Sequence, residues 1–276
     1  MKNYIAHCGF NNVRETNLIK RYAESYGYEY WWEGIANAVF KSGTKIKYAK
    51  FAVIWNGYQH SSQQVASLCR NRNIPFCFLE WGMLPQSETF FVDPFGFCGD
   101  SILAKDLSWI QQEDINLLNE TRKNLQLKYP IEPKDYILVP LQIENDTQIL
   151  NYSRYNNMEQ VVEEIENMYP NKKILVRLHP KSTNKNRKFN RAEIAPADID
   201  FFELAKNAEL VVAVTSTTLY ESGILGVPVK ALGKHPLSIQ PKENFEKIFA
   251  GALALTINRE TGNLRNVLER FNLKPL

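Results

Sequence analysis

The stretch LVPLQIENDTQIL, residues 138–150, opens as an apolar run and then places Gln142, Glu144, Asn145 and Asp146 in one short span. Two carboxylates and two amides at the end of a buried strand suit two kinds of local chemistry. One is an Asx turn, in which the side chains satisfy nearby backbone groups. The other is a reactive site, in which Asp146 attacks an electrophilic carbon while Gln142 and Asn145 orient it. Other strand-like runs end in similarly equipped turns. VTSTTLYESG, from Val214, passes from a strand into Ser216, Thr217 and Thr218 at the start of a helix, where free N–H groups and three hydroxyls favour an anion the size of one phosphate; simple helix capping is the alternative. It contains no GxxxxGK[ST] pattern and so is not a triphosphate loop. In VRLHPKS, His179 ends a strand and can donate to a phosphate, and Pro180 turns the chain away from helical geometry. FLEWGMLPQSETFFVDPFG carries Glu80 after an apolar strand and Asp93 among aromatics, each costly to bury unless paired or used. His60, in WNGYQHSS, precedes a helix.

These residues need elements to hold them, and the chain supplies alternating short apolar runs and helical patterns. NYIAHCG, FAVIWNG and IPFCFLEWG read as strands ending in glycine turns. Between them, residues 12–26 have helical spacing, and Ser61 and Ser62 can cap a helix carrying Val65, Leu68 and Cys69. A polar helix is expected over residues 108–127, and KYPIEPKD suits a linker near residues 128–135. The pattern then restarts: YILVPL, a helix striped by Met158, Val161, Val162, Ile165 and Met168, KKILVRLHP, a helix capped by Asp198, ELVVAVTS, a helix over 217–225 closed by Gly226, and PVKAL. This order predicts an α/β protein of two Rossmann-like domains, residues 1–130 and 131–276, facing a central cleft, with ligands beyond the carboxyl ends of the strands.

Composition limits the partners. The chain has 276 residues, 44% of them apolar, enough for two medium cores. With 33 basic and 30 acidic residues the net charge is +3, which argues against duplex nucleic acid but allows one anionic ligand or an anionic membrane surface. The run Lys181, Lys185, Arg187, Lys188 and Arg191 reads as a solvated loop rather than an acceptor or membrane contact. Cys8, Cys69, Cys77 and Cys98 show no CxxC spacing and are expected to be reduced, mostly buried thiols. No apolar leader follows Lys2, and IFAGALALTI is about half of the ~20 residues a membrane span needs. The expected location is cytoplasmic, with a peripheral place on the inner face of a bacterial inner membrane.

From about Phe51 to Pro236 the chain resembles the bacterial retaining β-Kdo glycosyltransferases of capsule and O-antigen assembly, which take Kdo, 3-deoxy-D-manno-oct-2-ulosonic acid, from CMP-Kdo. The pieces that carry the resemblance are WNGYQHSSQQVASLCRNRNIPFCFLEWG, FVDPFG, LVPLQIEND, ILVRLHP and VVAVTSTTLYESGILGVPVKALG. The His-Pro pair and the Ser/Thr turn are shared with other CMP-sugar enzymes, whereas Gln142–Asp146 and Glu80–Gly82 are closer to the Kdo families. The resemblance implies a GT-B-like arrangement. It also implies Asp146 as nucleophile, and Gln142, Asn145, His179, Pro180, Ser216, Thr217, Thr218 and Glu221 on the donor side, Glu221 near the ribose. Glu80 would lie in the acceptor wall, with His60 and Asp93 as further acceptor-side candidates and with Glu80, His60 and Asp93 as candidates for the general base. The family often has E-D-G where this chain has Glu80-Trp81-Gly82.

Retention at an activated ketose carbon is most economically reached by two displacements through a glycosyl-enzyme. No D-x-D pair sits at a strand end, so neither a metal nor another cofactor is expected. The expected partners are CMP-Kdo, a glycan or glycolipid acceptor and membrane-surface assembly machinery. Two rival readings are a CMP-sialic-acid or other nucleotide-sugar GT-B transferase, and a noncatalytic subunit that binds a nucleotide or glycan.

Overall fold

The computed structural model describes residues 3–9, 12–34, 46–132, 134–184 and 186–276. Pro133 of the expected linker and Lys185 of the basic run lie outside these. The chain forms two compact units, Met1–Trp109 with Ala254–Leu276, and Ile110–Leu253. Sequence patterning suggested one boundary between residues 130 and 131, and the contacts divide the chain differently for two reasons. The helix Gln112–Lys128 is tied into the second unit, since Arg122 donates to the carbonyls of Gly223 and Ile224 and Gln126 to that of Leu225. The last segment returns to the first unit as a strand.

The first unit is built on a six-stranded sheet in the order β11-β5-β4-β3-β1-β2. Here β1 is Tyr4–Cys8, β2 Glu29–Glu33, β3 Ala49–Trp55, β4 Phe76–Trp81, β5 Thr89–Asp93 and β11 Thr256–Asn258. Strands β2, β1, β3 and β4 run parallel, while β5 is antiparallel to β4 and β11 antiparallel to β5. The reversal at β5 follows from loop length. Residues 82–88 are too few for the dozen or so that a parallel crossover needs, so the chain folds straight back. Gly82 allows the tight approach, since a Cβ there would lie 2.4 Å from Thr89 Oγ1. Ile5, Phe51, Ile54, Leu79 and Phe90 fill the core. All four cysteines are free and buried, and burial pushes Cys69 up to about 12 and Cys77 upward as well.

The second unit carries a five-stranded parallel sheet in the order β10-β9-β6-β7-β8. Here β6 is Lys134–Pro140, β7 Lys173–Arg177, β8 Glu193–Ile194, β9 Ala208–Ala213 and β10 Val229–Ala231. Strands buried on both faces read as continuous apolar runs. Val139, Val176 and Val212 accordingly join Val161, Val162 and Ile165 of the helix Met158–Met168 in one core. That helix is capped by Asn157, whose side chain accepts the Gln160 N–H. Helix Thr218–Leu225 ends at Gly226 with φ 102°, a left-handed cap that favours glycine.

Some local expectations shift. The helix expected from Asp198 is capped by Asp200 and spans Phe201–Ala205, and the helix expected from Ser61 begins at His60, with the Ser62 hydroxyl donating to the Trp55 carbonyl instead. The polar helix starts at Gln112 rather than near Ser108.

Candidate functional site

In the second unit, three neighbouring parallel strands, β9, β6 and β7, deliver their carboxyl ends to one edge of the sheet. The Ser216–Thr218 turn follows β9, the Gln142–Asp146 stretch follows the central β6, and His179-Pro180 follows β7. The donor-side candidates are therefore gathered by topology alone, at the position where open α/β sheets bind ligands.

The mixed polar span after β6 is held residue by residue. Gln142 reaches across to the loop after β9, where its Oε1 accepts the Thr215 N–H at 2.8 Å and its Nε2 donates to Thr215 Oγ1 at 3.1 Å. Glu144 accepts the Met158 N–H at 3.1 Å and pairs with Arg187 at 2.9 Å. The bond from Arg187 holds the Glu144 carboxyl below its ordinary value. Arg187 is nearly buried, with 8% of its side chain exposed, and also pairs with Glu159 at 2.6 Å. Asp146 N–H donates to the Ile143 carbonyl at 3.0 Å, closing a turn. The Asp146 carboxylate then accepts the Gln148 N–H at 2.8 Å as N-cap of the helix Thr147–Tyr152 while staying exposed, as Asn145 does. Asx-type capping and an accessible carboxylate thus coincide at Asp146.

His179 is half-buried, and its Nδ1 accepts the Lys181 N–H at 3.1 Å. A neutral imidazole that accepts through Nδ1 carries its proton on Nε2, which leaves Nε2–H as the donor. Pro180 is exposed beside it. In the next turn, Ser216 Oγ accepts the Thr218 N–H at 3.3 Å and the Thr218 hydroxyl at 2.9 Å. Thr217, the N-cap residue, has helical backbone and makes no side-chain cap bond. Glu221 stands half-buried in the helix that follows. The buried His235 packs 4.7 Å from the Tyr220 ring, and burial lowers it to about 3, so it is a neutral structural histidine.

The acceptor-side candidates belong to the first unit. Glu80 is 8% exposed at the carboxyl end of β4; its Oε2 accepts from Asn56 Nδ2 at 2.6 Å and its Oε1 from the Trp81 N–H at 2.9 Å. Asn56 sits at the end of β3 with φ 57°, a conformation that asparagine tolerates. His60 follows the same strand, exposed, with its Nε2 2.9 Å from Gln64 Nε2. Trp81 is 39% exposed, with the Arg259 guanidinium 4.1 Å from its ring centroid. Arg259 also donates to the Thr89 carbonyl at 3.0 Å and to that of Gln86.

Asp93 is separated from Glu80. Because β5 is antiparallel, Asp93 pairs with Phe78 and lies toward the amino ends of the parallel strands. It is fully buried and accepts from Ser101 Oγ at 2.6 Å and from the N–H groups of Phe95, Gly96 and Ile102. Its place is that of a turn and helix-start organiser.

Sequence reading missed Arg187, Asn56, Thr215 and Arg259. Arg187 was hidden in a basic run that reads as solvated, although Glu144 and Glu159 stood as its candidate partners. Thr215 adjoins a recognised hydroxyl run. Arg259 comes from the far end of the chain and left no local signal. Among the described residues, no group of three or more His, Cys, Asp or Glu side chains gathers as a metal site, and no helix is long and apolar enough to cross a membrane.

A family model described as capsule polysaccharide biosynthesis protein matches residues 103–240, half of the chain. No curated protein sequence matches it. Among solved structures, the chain is similar to KpsC of Thermosulfurimonas dismutans, described as a β-Kdo 2,7 transferase, with TM-score 0.64 and 18% identity, covering 99% of both chains. It is similar also to KpsC of Thermosulfurimonas dismutans described as a β-Kdo 2,4 transferase, with TM-score 0.68 and 15% identity, covering 96% of both chains. At these identities the likeness speaks for a shared fold.

Proposed function

The chain belongs to the capsule polysaccharide biosynthesis family, and from that premise we propose that it is a retaining glycosyltransferase that moves Kdo from CMP-Kdo to a glycan or glycolipid acceptor. The observation that carries this reading is the convergence of Gln142–Asp146, His179 and Ser216–Thr218 at the carboxyl edge of three adjacent strands in the second unit. The reading takes the two units as the halves of a GT-B-like enzyme, the second binding the donor.

In this mechanism the phosphate of CMP gains charge as the bond to the anomeric carbon breaks. The His179 Nε2–H, the hydroxyls of Ser216 and Thr217 and the amino end of the helix Thr218–Leu225 stabilise that charge. No metal is required by this scheme. The Asp146 carboxylate attacks the anomeric carbon from the opposite face and forms a glycosyl-enzyme with release of CMP. An acceptor hydroxyl then displaces Asp146, its proton passing to a general base; Glu80, at the carboxyl end of β4, and His60, after that of β3, are the candidates. Gln142 and the Glu144–Arg187 pair fix the backbone on which Asp146 stands. The chemistry suits the cytoplasmic side of a membrane, where nucleotide sugars are made, with assembly machinery at the membrane surface as partner.

The test is donor turnover. Purified protein given CMP-Kdo should release CMP in the presence of capsule-type oligosaccharide, and incubation with CMP-Kdo alone should add one Kdo mass to a peptide containing Asp146. CMP release from CMP-sialic acid in preference to CMP-Kdo would replace the donor. CMP binding without turnover of either donor would make the chain a noncatalytic binder.

A further inference from the structure

In the first unit, Glu80 is nearly buried at the carboxyl end of β4, where a carboxylate is costly unless its oxygens are supplied with donors. The supply comes from the end of the neighbouring strand. The β3–β4 ladder ends with Trp55 opposite Leu79, and one residue further on the Asn56 N–H still donates to the Leu79 carbonyl at 2.9 Å. Asn56 therefore stands beside Glu80. The chain then turns sharply, with φ 57° at Asn56 and 34° at Gly57. Glycine is the least strained residue in such a turn. Contact also demands it at position 57, since a Cβ there would lie 3.0 Å from the Phe78 ring. At position 56 the turn carries a side chain instead.

That side chain is oriented at both ends. The Tyr58 N–H donates to Asn56 Oδ1 at 3.2 Å, which sets the carboxamide so that Nδ2 donates to Glu80 Oε2 at 2.6 Å. The Trp81 N–H donates to Glu80 Oε1 at 2.9 Å. Each carboxylate oxygen thus has an N–H of its own, one from each strand. Among residues that enter the left-handed region readily, chiefly glycine, asparagine and aspartate, asparagine alone brings a side-chain N–H. Asp93 shows a different use of a carboxylate. It is fully buried and accepts from the N–H groups of Phe95, Gly96 and Ile102 in the turn after its own strand. Glu80 draws on a side chain of the next strand and keeps 8% of its surface in solvent, where a hydroxyl group can reach it. His60, the other candidate base, is exposed, and its Nε2 accepts from Gln64 Nε2 at 2.9 Å, so the lone pair a base would use is engaged.

Within the transferase reading, on which this assignment rests, we propose that Asn56 is a positioning residue for the second half of transfer, its amide holding the Glu80 carboxylate in the conformation that takes the proton of the acceptor hydroxyl. In that step the acceptor oxygen bonds to the anomeric carbon. The bond from that carbon to Asp146 breaks, its electron pair returning to the Asp146 carboxylate, and the hydroxyl proton passes to Glu80. A general base acts only within about 2.6–3.2 Å of the proton's carrier, and a glutamate with three side-chain torsions stays there only if it is held. Asn56 supplies the hold from a backbone that its own turn makes rigid. The assignment selects Glu80 over His60 as base and gives the left-handed asparagine a reason.

Asn56→Gly keeps the left-handed turn and deletes the amide. Given CMP-Kdo alone, this variant should form the Asp146 adduct at close to the parent rate. Once a capsule-type oligosaccharide is added, the adduct should disappear at least tenfold more slowly than in the parent. Asn56→Asp keeps the shape of the side chain, and so carries the test if the glycine variant is loosened. It sets a second carboxylate where Nδ2 lies 2.6 Å from Glu80, and the two then share a proton. The acid limb of its acceptor-dependent rate should lie about one pH unit or more above that of the parent. Glu80→Gln should slow the same step, and adding Asn56→Gly to it should slow it no further, because Asn56 acts through Glu80. Adduct decay at the parent rate in Asn56→Gly, an unmoved acid limb in Asn56→Asp, or additive losses in the double variant each overturn the role of Asn56 and leave the transferase reading standing. A parent protein that neither forms the adduct nor releases CMP overturns both.

Discussion

The Gln142 carboxamide locks onto Thr215 with both of its ends, Oε1 taking the Thr215 backbone N–H at 2.8 Å and Nε2 giving to the Thr215 hydroxyl at 3.1 Å. One side chain thereby fixes the loop after β6 to the loop after β9, and so the span carrying Asp146 to the turn carrying Ser216. Thr215 is only 2% exposed. Replacing Gln142 by Ala leaves a buried N–H unsatisfied, which costs about 1–3 kcal/mol. Urea denaturation should show that loss, and CMP release should fall through a raised KM as the two loops lose their common anchor. An unchanged midpoint and KM would show the bridge to be inert.

Asp146 has an observed role as N-cap and a proposed one as nucleophile, and substitution can separate them. As an N-cap it is worth about 0.5–2 kcal/mol, which Ala loses and Asn keeps. The proposed nucleophile would be lost in both. Asp146→Asn should therefore melt close to the parent, Asp146→Ala a few degrees lower, and both should transfer Kdo roughly 10³-fold or more slowly. Near-normal transfer by Asp146→Asn would remove the carboxylate from the reaction.

Arg187 holds Glu144 and Glu159 together, and the pairing has a pH signature. The Glu144 carboxyl is held below its ordinary value of 4.5, chiefly by its bond to Arg187. A depressed folded value contributes stability that is present above the unfolded value and disappears as pH falls through the folded one. The stability difference between the parent and Arg187→Ala should accordingly be constant near neutrality and shrink on acidification below about pH 4.5. A difference that does not change with pH would mean that Glu144 keeps its charge without Arg187.

Asp93 gives the opposite slope. Burial pushes its carboxyl from an ordinary 3.8 up to about 7, against the pull of Ser101 and three backbone N–H donors. A value raised by folding contributes stability below pH 3.8 that is lost as pH climbs toward about 7. Asp93→Asn should flatten that decline, while lowering overall stability because its amide NH₂ confronts N–H donors. A titration near neutrality would by itself suit a general base, but the position does not, since Asp93 is fully buried away from the carboxyl edge. Transfer by a folded Asp93→Asn protein should keep its kcat; a collapse of kcat would return Asp93 to the catalytic candidates.

The strand ends that carry the candidate residues are legible in the sequence because the signal is local. Gln142 to Asp146, His179-Pro180 and Ser216 to Thr218 each follow an uninterrupted apolar run, and consecutive parallel strands bring such ends together. What escaped reading was non-local or reversed. Nothing near Asp93 announces that its strand runs backwards; the shortness of residues 82–88 was the available clue. Arg187 reads as one more charge in a basic loop until the fold brings Glu144 and Glu159 to it. Nothing local shows that the helix Gln112–Lys128 belongs with the second unit, because the bonds that tie it there go to carbonyls of residues 223–225, about a hundred residues later.

The return of Thr256–Asn258 to the flank of β5 has a consequence for biosynthesis. Ile110–Leu253 is a continuous stretch, so the whole of that unit has been made before residue 254. The first unit is then still incomplete, because until residues 254–276 emerge β5 presents a bare edge and Thr89 and Gln86 wait for the guanidinium of Arg259. Of the two units, the one that starts earlier in the chain is thus completed later, and its unpaired β5 edge is what a chaperone would meet in the meantime.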